Sequence, residues 1–278
     1  MDFNRKLSDT KFTYFECEDC GSLALPVPPP DLDRFYPADY YLLPGSRQEL
    51  ALAAEHERYK LEIVQRFVRG GRLLEIGPGL GGFAYLANEA GFTVETVEMD
   101  ERSCQFLRGV VGVGATQTTD ARGVLAQSPP LQVVALWHVV EHLPDPMETL
   151  EAAAAALSPG GILVLGTPNP AALQFSLFRA RWAHLDAPRH LQLIPAGYVL
   201  RRGLEWGMQP VLETSTDTGG LGWNRFGWQV SLNNAASVTG LRFPDLLARV
   251  ICRLARPLER TGRRGTAYTL VLKKDKKR

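Results

Sequence analysis

Cysteine and methionine are both scarce in this chain of 278 residues, four of each. Cys17, Cys20, Cys104 and Cys252 are too few and too scattered for a disulfide scaffold, which excludes the small cross-linked secreted class. Long apolar runs are missing too: the strongest stay under about ten residues, where a helix crossing a bilayer needs roughly 20. The opening MDFNRKLSDTKF holds no apolar h-region, so no secretory leader is expected in it. A soluble protein in a reducing, cytoplasmic setting is the expectation. Net charge is almost absent at +1, but that balance hides a split. From Arg242 onward twelve Lys and Arg face three Asp and Glu, so an acidic body carries a basic tail. Apolar residues are plentiful at 45% against 22% charged, enough for a sizeable core.

Residues 1–46 read as an irregular N-terminal segment, with FECEDCG, a PVPPP run and DLDRFYPADYYLLPG in succession. Over 47–278 strand and helix patterns alternate, as in a parallel sheet covered on both faces. RLLEI (72–76), FTVETVE (92–98), LQVVALW (131–137), GILVLG (161–166), QPVLETST (209–216) and TAYTLVLKK (266–274) read as strands. Helical spacing marks 47–67, 83–90, 101–109, 147–157 and 195–207. Between the last two strands, 217–264 reads as an insertion containing a helix. Within it, Phe243, Leu246, Leu247, Val250, Ile251 and Leu254 form one face of an amphipathic helix, with Arg249, Arg253 and Arg256 on the other. That face could pack on the body; the basic 243–264 segment could instead contact an anionic membrane surface. No RNA-binding motif or aromatic stacking platform is present, so nucleic acid is not an expected partner.

LLEIGPGLGGF places Gly77, Gly79, Gly81 and Gly82 between a strand and a helix, and Glu98 ends the next strand. Strand, glycines, helix and ribose-binding acid in register fit NAD or S-adenosylmethionine alike. Glu75 discriminates. Its carboxylate lies near the turn, where NAD would put a pyrophosphate that it repels. S-Adenosylmethionine offers an ammonium and a sulfonium there instead, which an acid attracts.

HVVEH, residues 138–142, spells an inverted zinc-protease motif. That chemistry needs both imidazoles on one helical face and a third ligand. Here a strand precedes the motif, and Pro144 and Pro146 disfavour helix after it. A strand end is instead where ligands sit in open α/β sheets.

Taken in order, E-I-G-P-G-L-G, V-E-T-V-E-M-D, T-T-D-A and the strand ending W-H-V-V-E-H-L-P-D-P resemble the motifs of class I S-adenosylmethionine-dependent methyltransferases. The resemblance runs from about residue 70 to 215 and recurs at the final strand. It implies a Rossmann-like α/β fold: a seven-stranded, mostly parallel sheet with helices on both faces and an antiparallel last strand. It implies S-adenosyl-L-methionine as cofactor, with Glu75, Gly77, Gly79 and Gly81 at the methionine end and Glu98 on the ribose. Met99 would pack on the adenine face, and Asp120, beside Ala121, would take the adenine amino group; Asp120 reads equally as a loop cap. Trp137 and His138 would line the cofactor, and His142 would face the methyl acceptor. Ubiquinone-type O-methyltransferases carry acids and His at this loop that can hold a divalent metal. Glu141 and His142 match that pattern, His138 replaces an acid, and no metal ligand is assigned.

The W…LD-x-PRHL pattern in 182–191 resembles a subgroup linked to surface-glycan or lipid pathways, which implies a small-molecule or lipid-linked acceptor. O- or N-methylation usually needs a proton removed, and C-methylation is a further option. His142 and His190 are the candidate bases, and Arg189 the candidate anchor for an anionic acceptor group. Arg189 with Asp186 reads equally as a structural pair, and His190 as a satisfied core contact. FECEDCG is half of a zinc knuckle without a second pair, so bound zinc is not expected. Tyr40 and Tyr41 could form a lid over the pocket or simply pack. The readings from other classes are an NAD-dependent oxidoreductase and a cofactor-binding protein without turnover.

Overall fold

The computed structural model describes residues 1–37, 42–236, 245–260 and 263–276. Ten strands lie among them: β1 (Phe15–Glu16), β2 (Leu23–Ala24), β3 (Gly71–Ile76), β4 (Phe92–Glu98), β5 (Gly114–Gln117), β6 (Leu131–Trp137), β7 (Leu157–Pro168), β8 (Gln192–Leu193), β9 (Met208–Thr214) and β10 (Ala267–Lys274). Seven form one sheet in the order β5-β4-β3-β6-β7-β10-β9. The first five of these run parallel, and β10 lies antiparallel between β7 and β9. This is the seven-stranded arrangement expected, with the last strand reversed.

Side chains alternate across a strand, so neighbouring residues supply two separate cores. Leu73, Val133, Ala135 and Val164 pack on one face with Phe83 and Leu86 of helix Gly82–Glu89. Leu74, Val134, Leu136 and Leu163 pack on the other with Leu150 and Ala153 of helix Pro146–Ala156. Strands covered on both faces read as nearly continuous apolar runs, which is why the central ones are visible in the sequence. Glu75 interrupts that pattern from inside β3.

The structure departs from the sequence reading at several points. β5 adds an edge strand, and helix Glu101–Phe106 continues into a π-helical turn, Leu107–Val111. The N-terminal segment is docked rather than irregular throughout. β1 and β2 form a hairpin, and β2 pairs with β8 through Leu23↔Leu193 and Ala24↔Gln192. The insertion holds two helices, Thr218–Ala236 and Asp245–Arg260. Of the apolar face expected on the second, Ile251 packs on the body beside Ala248 and Ala255, while Leu246, Leu247, Val250 and Leu254 are exposed. Tyr40, Tyr41, Arg242 and Phe243 lie outside the described residues.

Candidate active site

The cofactor side begins where β3 ends. Gly77, Gly79 and Gly81 all take positive φ, at 64°, 55° and 71°, conformations that tolerate glycine best. A Cβ at Gly77 would stand 2.5 Å from Val139 Cγ2, so the turn is closed against the loop that follows β6. From β4, Glu98 Oε1 accepts the backbone N–H of Met99 at 2.8 Å and of Asp100 at 3.0 Å. Thr118 N donates to the Glu98 carbonyl at 3.0 Å, tying together the loops that carry Met99 and Asp120. Met99 is 60% exposed, leaving its side chain available to a planar ligand. Asp120 Oδ1 accepts Gly123 N at 2.9 Å, so it does cap the helix beginning at Ala121, whose own side chain is buried.

Glu75 and Trp137 share one face of the sheet, since Glu75 pairs in register with Ala135, two residues before Trp137. Both are buried, and Glu75 Oε2 and Trp137 Nε1 lack hydrogen-bond partners. Lys60 sits close by, with Nζ 5.4 Å from the Trp137 ring centroid and 2.8 Å from Glu57 Oε2. Burial pushes the Glu75 carboxyl up to about 8, against the pull of the Lys60 ammonium. An orphaned buried acceptor is costly, so this one is suited to a ligand that brings a cation. The amino group of S-adenosylmethionine is such a donor, and the pocket residues fit that cofactor.

The acceptor side lies past the end of β6. His138 takes a left-handed φ of 57° and donates its N–H to Gly166 O at 2.7 Å. Its ring turns toward Glu141, with Nδ1 3.5 Å from Oε1, and lies 4.7 Å from the Trp223 ring. Glu141 is buried and its Oε2 accepts the Thr167 hydroxyl at 2.8 Å. Burial opposes its ionisation, but the hydrogen bond from His138 holds it ionised. His142 Nδ1 lies 3.0 Å from both Arg189 O and Tyr36 Oη. Burial first, and the neighbouring His190 second, push His142 down to about 4, so its ring is neutral at pH 7. The His142 and His190 rings meet edge to face at 4.8 Å, and His190 Nδ1 is 2.8 Å from His184 O. Backbone carbonyls thus engage Nδ1 of both rings, a contact that in the neutral His142 favours the N–H there and leaves a lone pair at Nε2. Glu141, His142 and His190 bring one ligand atom each within 4.8 Å of one another, a carboxylate and two imidazoles that could also hold a divalent ion.

Arg189 is placed elsewhere than expected. Its side chain is fully buried and bonds Asp2 at 2.9 and 3.2 Å and Asp186 at 2.7 and 2.8 Å. With both carboxylates on its fork it presents nothing to an acceptor, and the structural-pair reading holds, enlarged by Asp2. Asp186 is held well below the usual carboxylate range by this guanidinium, in spite of its burial. Trp182 and His184 are buried as well; Trp182 Nε1 donates to Thr266 Oγ1 at 3.0 Å. Three residues at this site had no signal in the sequence. Tyr36 comes from the N-terminal segment, Thr167 from β7, and Trp223 from helix Thr218–Ala236.

The sheet order, the glycine turn after β3 and the acid at the end of β4 define the class I methyltransferase fold. Residues 48–209, more than half of the chain, match the family described as a methyltransferase domain, and the chain belongs to that family. A ubiquinone biosynthesis O-methyltransferase of Caulobacter sp. (strain K31) is 30% identical over 133 residues, 46% of this chain and 51% of that protein. The enzyme of the same name from Bordetella avium (strain 197N) is 27% identical over 149 residues, covering 50% and 58%. The chain therefore spans about half the length of the curated relatives it matches. A SAM-dependent methyltransferase from Archaeoglobus fulgidus superposes with a TM-score of 0.53 at 22% identity, over 83% of this chain and 95% of that one. The cyclase SpnF superposes at 0.51 and 17%, over 79% and 81%. At such identities the likeness is one of fold, and a cyclase among the neighbours shows that fold alone leaves the chemistry open.

Proposed function

We propose that this protein transfers a methyl group from S-adenosylmethionine to an oxygen or nitrogen of a small or lipid-linked acceptor. The observation that carries this is the opposition of two sites at the end of β6. An orphaned acid and indole lie on the Glu75–Trp137 side, and a neutral imidazole with an ionised carboxylate behind it on the His142–Glu141 side. The relatives named for O-methylation in ubiquinone biosynthesis support oxygen as the methylated atom and an acceptor with a lipid tail.

When bound, S-adenosylmethionine supplies an electrophilic methyl on a sulfonium. Glu75 binds the amino group, the glycine turn lets the cofactor approach the backbone, and Met99 and Ala121 flank the base. His142 Nε2 takes the acceptor proton as the acceptor oxygen attacks, and Glu141 stabilises the imidazolium that results. His190 packs against the His142 ring and keeps it in place. Positioning of the two reactants can supply roughly 7–11 kcal/mol and general-base help about 10²–10⁴ in rate, so alignment carries the larger share.

Calorimetry with S-adenosylmethionine and with NAD tests the cofactor, and turnover on lipid-linked phenols tests the acceptor. Tight NAD binding with none of S-adenosylmethionine would sink the reading in favour of an oxidoreductase; cofactor binding without turnover on a broad acceptor panel would favour a silent binding protein. The three-donor cluster favours one second reading, in which Glu141, His142 and His190 would hold a divalent ion that would supply Lewis-acid activation of the acceptor. Treatment with a chelator separates the two. Turnover persists if His142 acts alone and disappears if the ion is needed.

A further inference from the structure

We infer that helix Asp245–Arg260 docks this protein on an anionic lipid bilayer. Successive helical residues are about 100° apart, so the helix divides into three arcs. Ala248, Ala255 and Glu259 make the buried one, and Glu259 Oε1 accepts Trp228 Nε1 at 2.8 Å to hold the helix on its neighbour. Leu246, Val250, Leu254 and Leu258 make the outward one, at 71%, 47%, 73% and 62% exposure. Arg249, Arg253, Arg256 and Arg260 line one edge of that outward arc and are exposed too.

A helix that only packs on its own domain points its leucines inward. This one points its alanines inward and its leucines out, so among the described residues nothing covers its apolar face. Charge decides between the candidates. Asp245 is the only acid on the exposed surface of the helix, and Arg225 and Arg249 already occupy it at 3.0 and 2.5 Å. A second copy would therefore bring four more guanidinium groups and no spare carboxylate. A bilayer carrying anionic headgroups meets both needs: the acyl boundary takes the leucine row, and phosphates take the arginine row beside it.

The docking surface lies one helix away from the candidate acceptor site. Helix Thr218–Ala236 carries Trp228, which Glu259 holds, and Trp223, whose ring lies against His138. A protein lying on its Asp245–Arg260 face would keep that site near the membrane. The docking surface itself stands whether or not the methyl-transfer reading does.

Flotation of the full chain with vesicles tests it, comparing phosphatidylcholine alone with an equal mixture of phosphatidylcholine and phosphatidylglycerol. The protein should float with the mixture, far less with phosphatidylcholine alone, and less again in high salt. The pair Val250→Glu and Leu254→Glu should abolish flotation. The pair Arg253→Gln and Arg256→Gln should weaken it about fivefold for each arginine lost. All these positions are exposed, so calorimetric binding of S-adenosylmethionine should be unchanged in each variant. Absence of flotation in the unmodified protein overturns the proposal, as does flotation that survives both pairs. So does a dimer in sedimentation that Leu254→Glu dissolves while vesicles are ignored. Cofactor binding without flotation removes the docking surface and leaves the catalytic reading standing; flotation without cofactor binding does the reverse.

Discussion

Lowering the pH from 7.5 to 6 should weaken S-adenosylmethionine binding by about twentyfold, because Glu75 must lose a proton to receive the cofactor's ammonium. With burial pushing its carboxyl to about 8, about nine in ten molecules carry that proton at pH 7. If the bound cation keeps the carboxylate ionised, calorimetry at pH 7 should detect close to one proton released per cofactor. Buffers of different ionisation enthalpy make that count. Glu75→Gln removes the charge and should flatten the pH dependence while weakening binding at pH 7.5. Stability of the free protein should move the other way. The folded-state value lies above the ordinary 4.5, so the group costs stability that is absent at pH 4 and grows until pH passes about 8. Glu75→Gln should therefore raise the melting midpoint at pH 7.5 and leave it nearly unchanged at pH 4. Equal pH slopes in both proteins, with no proton release, would refute the assignment of Glu75 to the cofactor.

Replacing His142 with alanine should lower kcat by about 10²–10⁴ and leave cofactor affinity unchanged, measured by steady-state kinetics beside calorimetry. In the unmodified enzyme the acid limb should fall near pH 4, where the ring gains its proton. Arg189→Met leaves Asp2 and Asp186 without their cation and should cost roughly 3–5 kcal/mol in urea unfolding. That loss should shrink in acid, because the depressed Asp186 carboxyl contributes stability above the ordinary carboxylate range and loses it as pH falls through its own lower value. Gly77→Ala sets a Cβ against Val139 at positive φ and should weaken cofactor binding and stability together, by about 1–3 kcal/mol in the unfolding assay.

What the sequence made legible follows from the range of the interactions involved. Strands β3, β6 and β7 are visible because their inner residues are buried on both faces, β4 by its alternation of buried and exposed residues, and the turn after β3 because glycine takes its three positive φ values at least cost. β5 escaped notice as GATQ, short, small and half-exposed at the sheet edge. Helix Thr218–Ala236 was hidden by Gly219, Gly220, Gly222 and Gly227, each costing about 1 kcal/mol of helix propensity against alanine. Packing explains three of them: a Cβ at Gly219 would collide with the Tyr59 hydroxyl, one at Gly220 with the Ser215 carbonyl, and one at Gly227 with Gln174. In the site, Glu75 stood out by charge logic because a buried acid beside the glycine turn is a local feature of the sequence, and the structure leaves its Oε2 without a hydrogen-bond partner. The role of Arg189 did not, because its second partner, Asp2, stands 187 residues away and no local pattern announces it.

The position of β10 also sets an order of events during synthesis. β9 lies at the sheet's edge with β10 as its neighbour, and β10 alone connects it to β7. β9 is complete at Thr214, yet the strand it pairs with begins at Ala267. A chain leaving the ribosome thus displays an unpaired β7 edge and a solitary β9 until both insertion helices have emerged. The sheet can be completed only after β10 has been made. Shortening the chain through β10 would release both strands at once, so losses there should show as aggregation during expression rather than as a graded decline in activity.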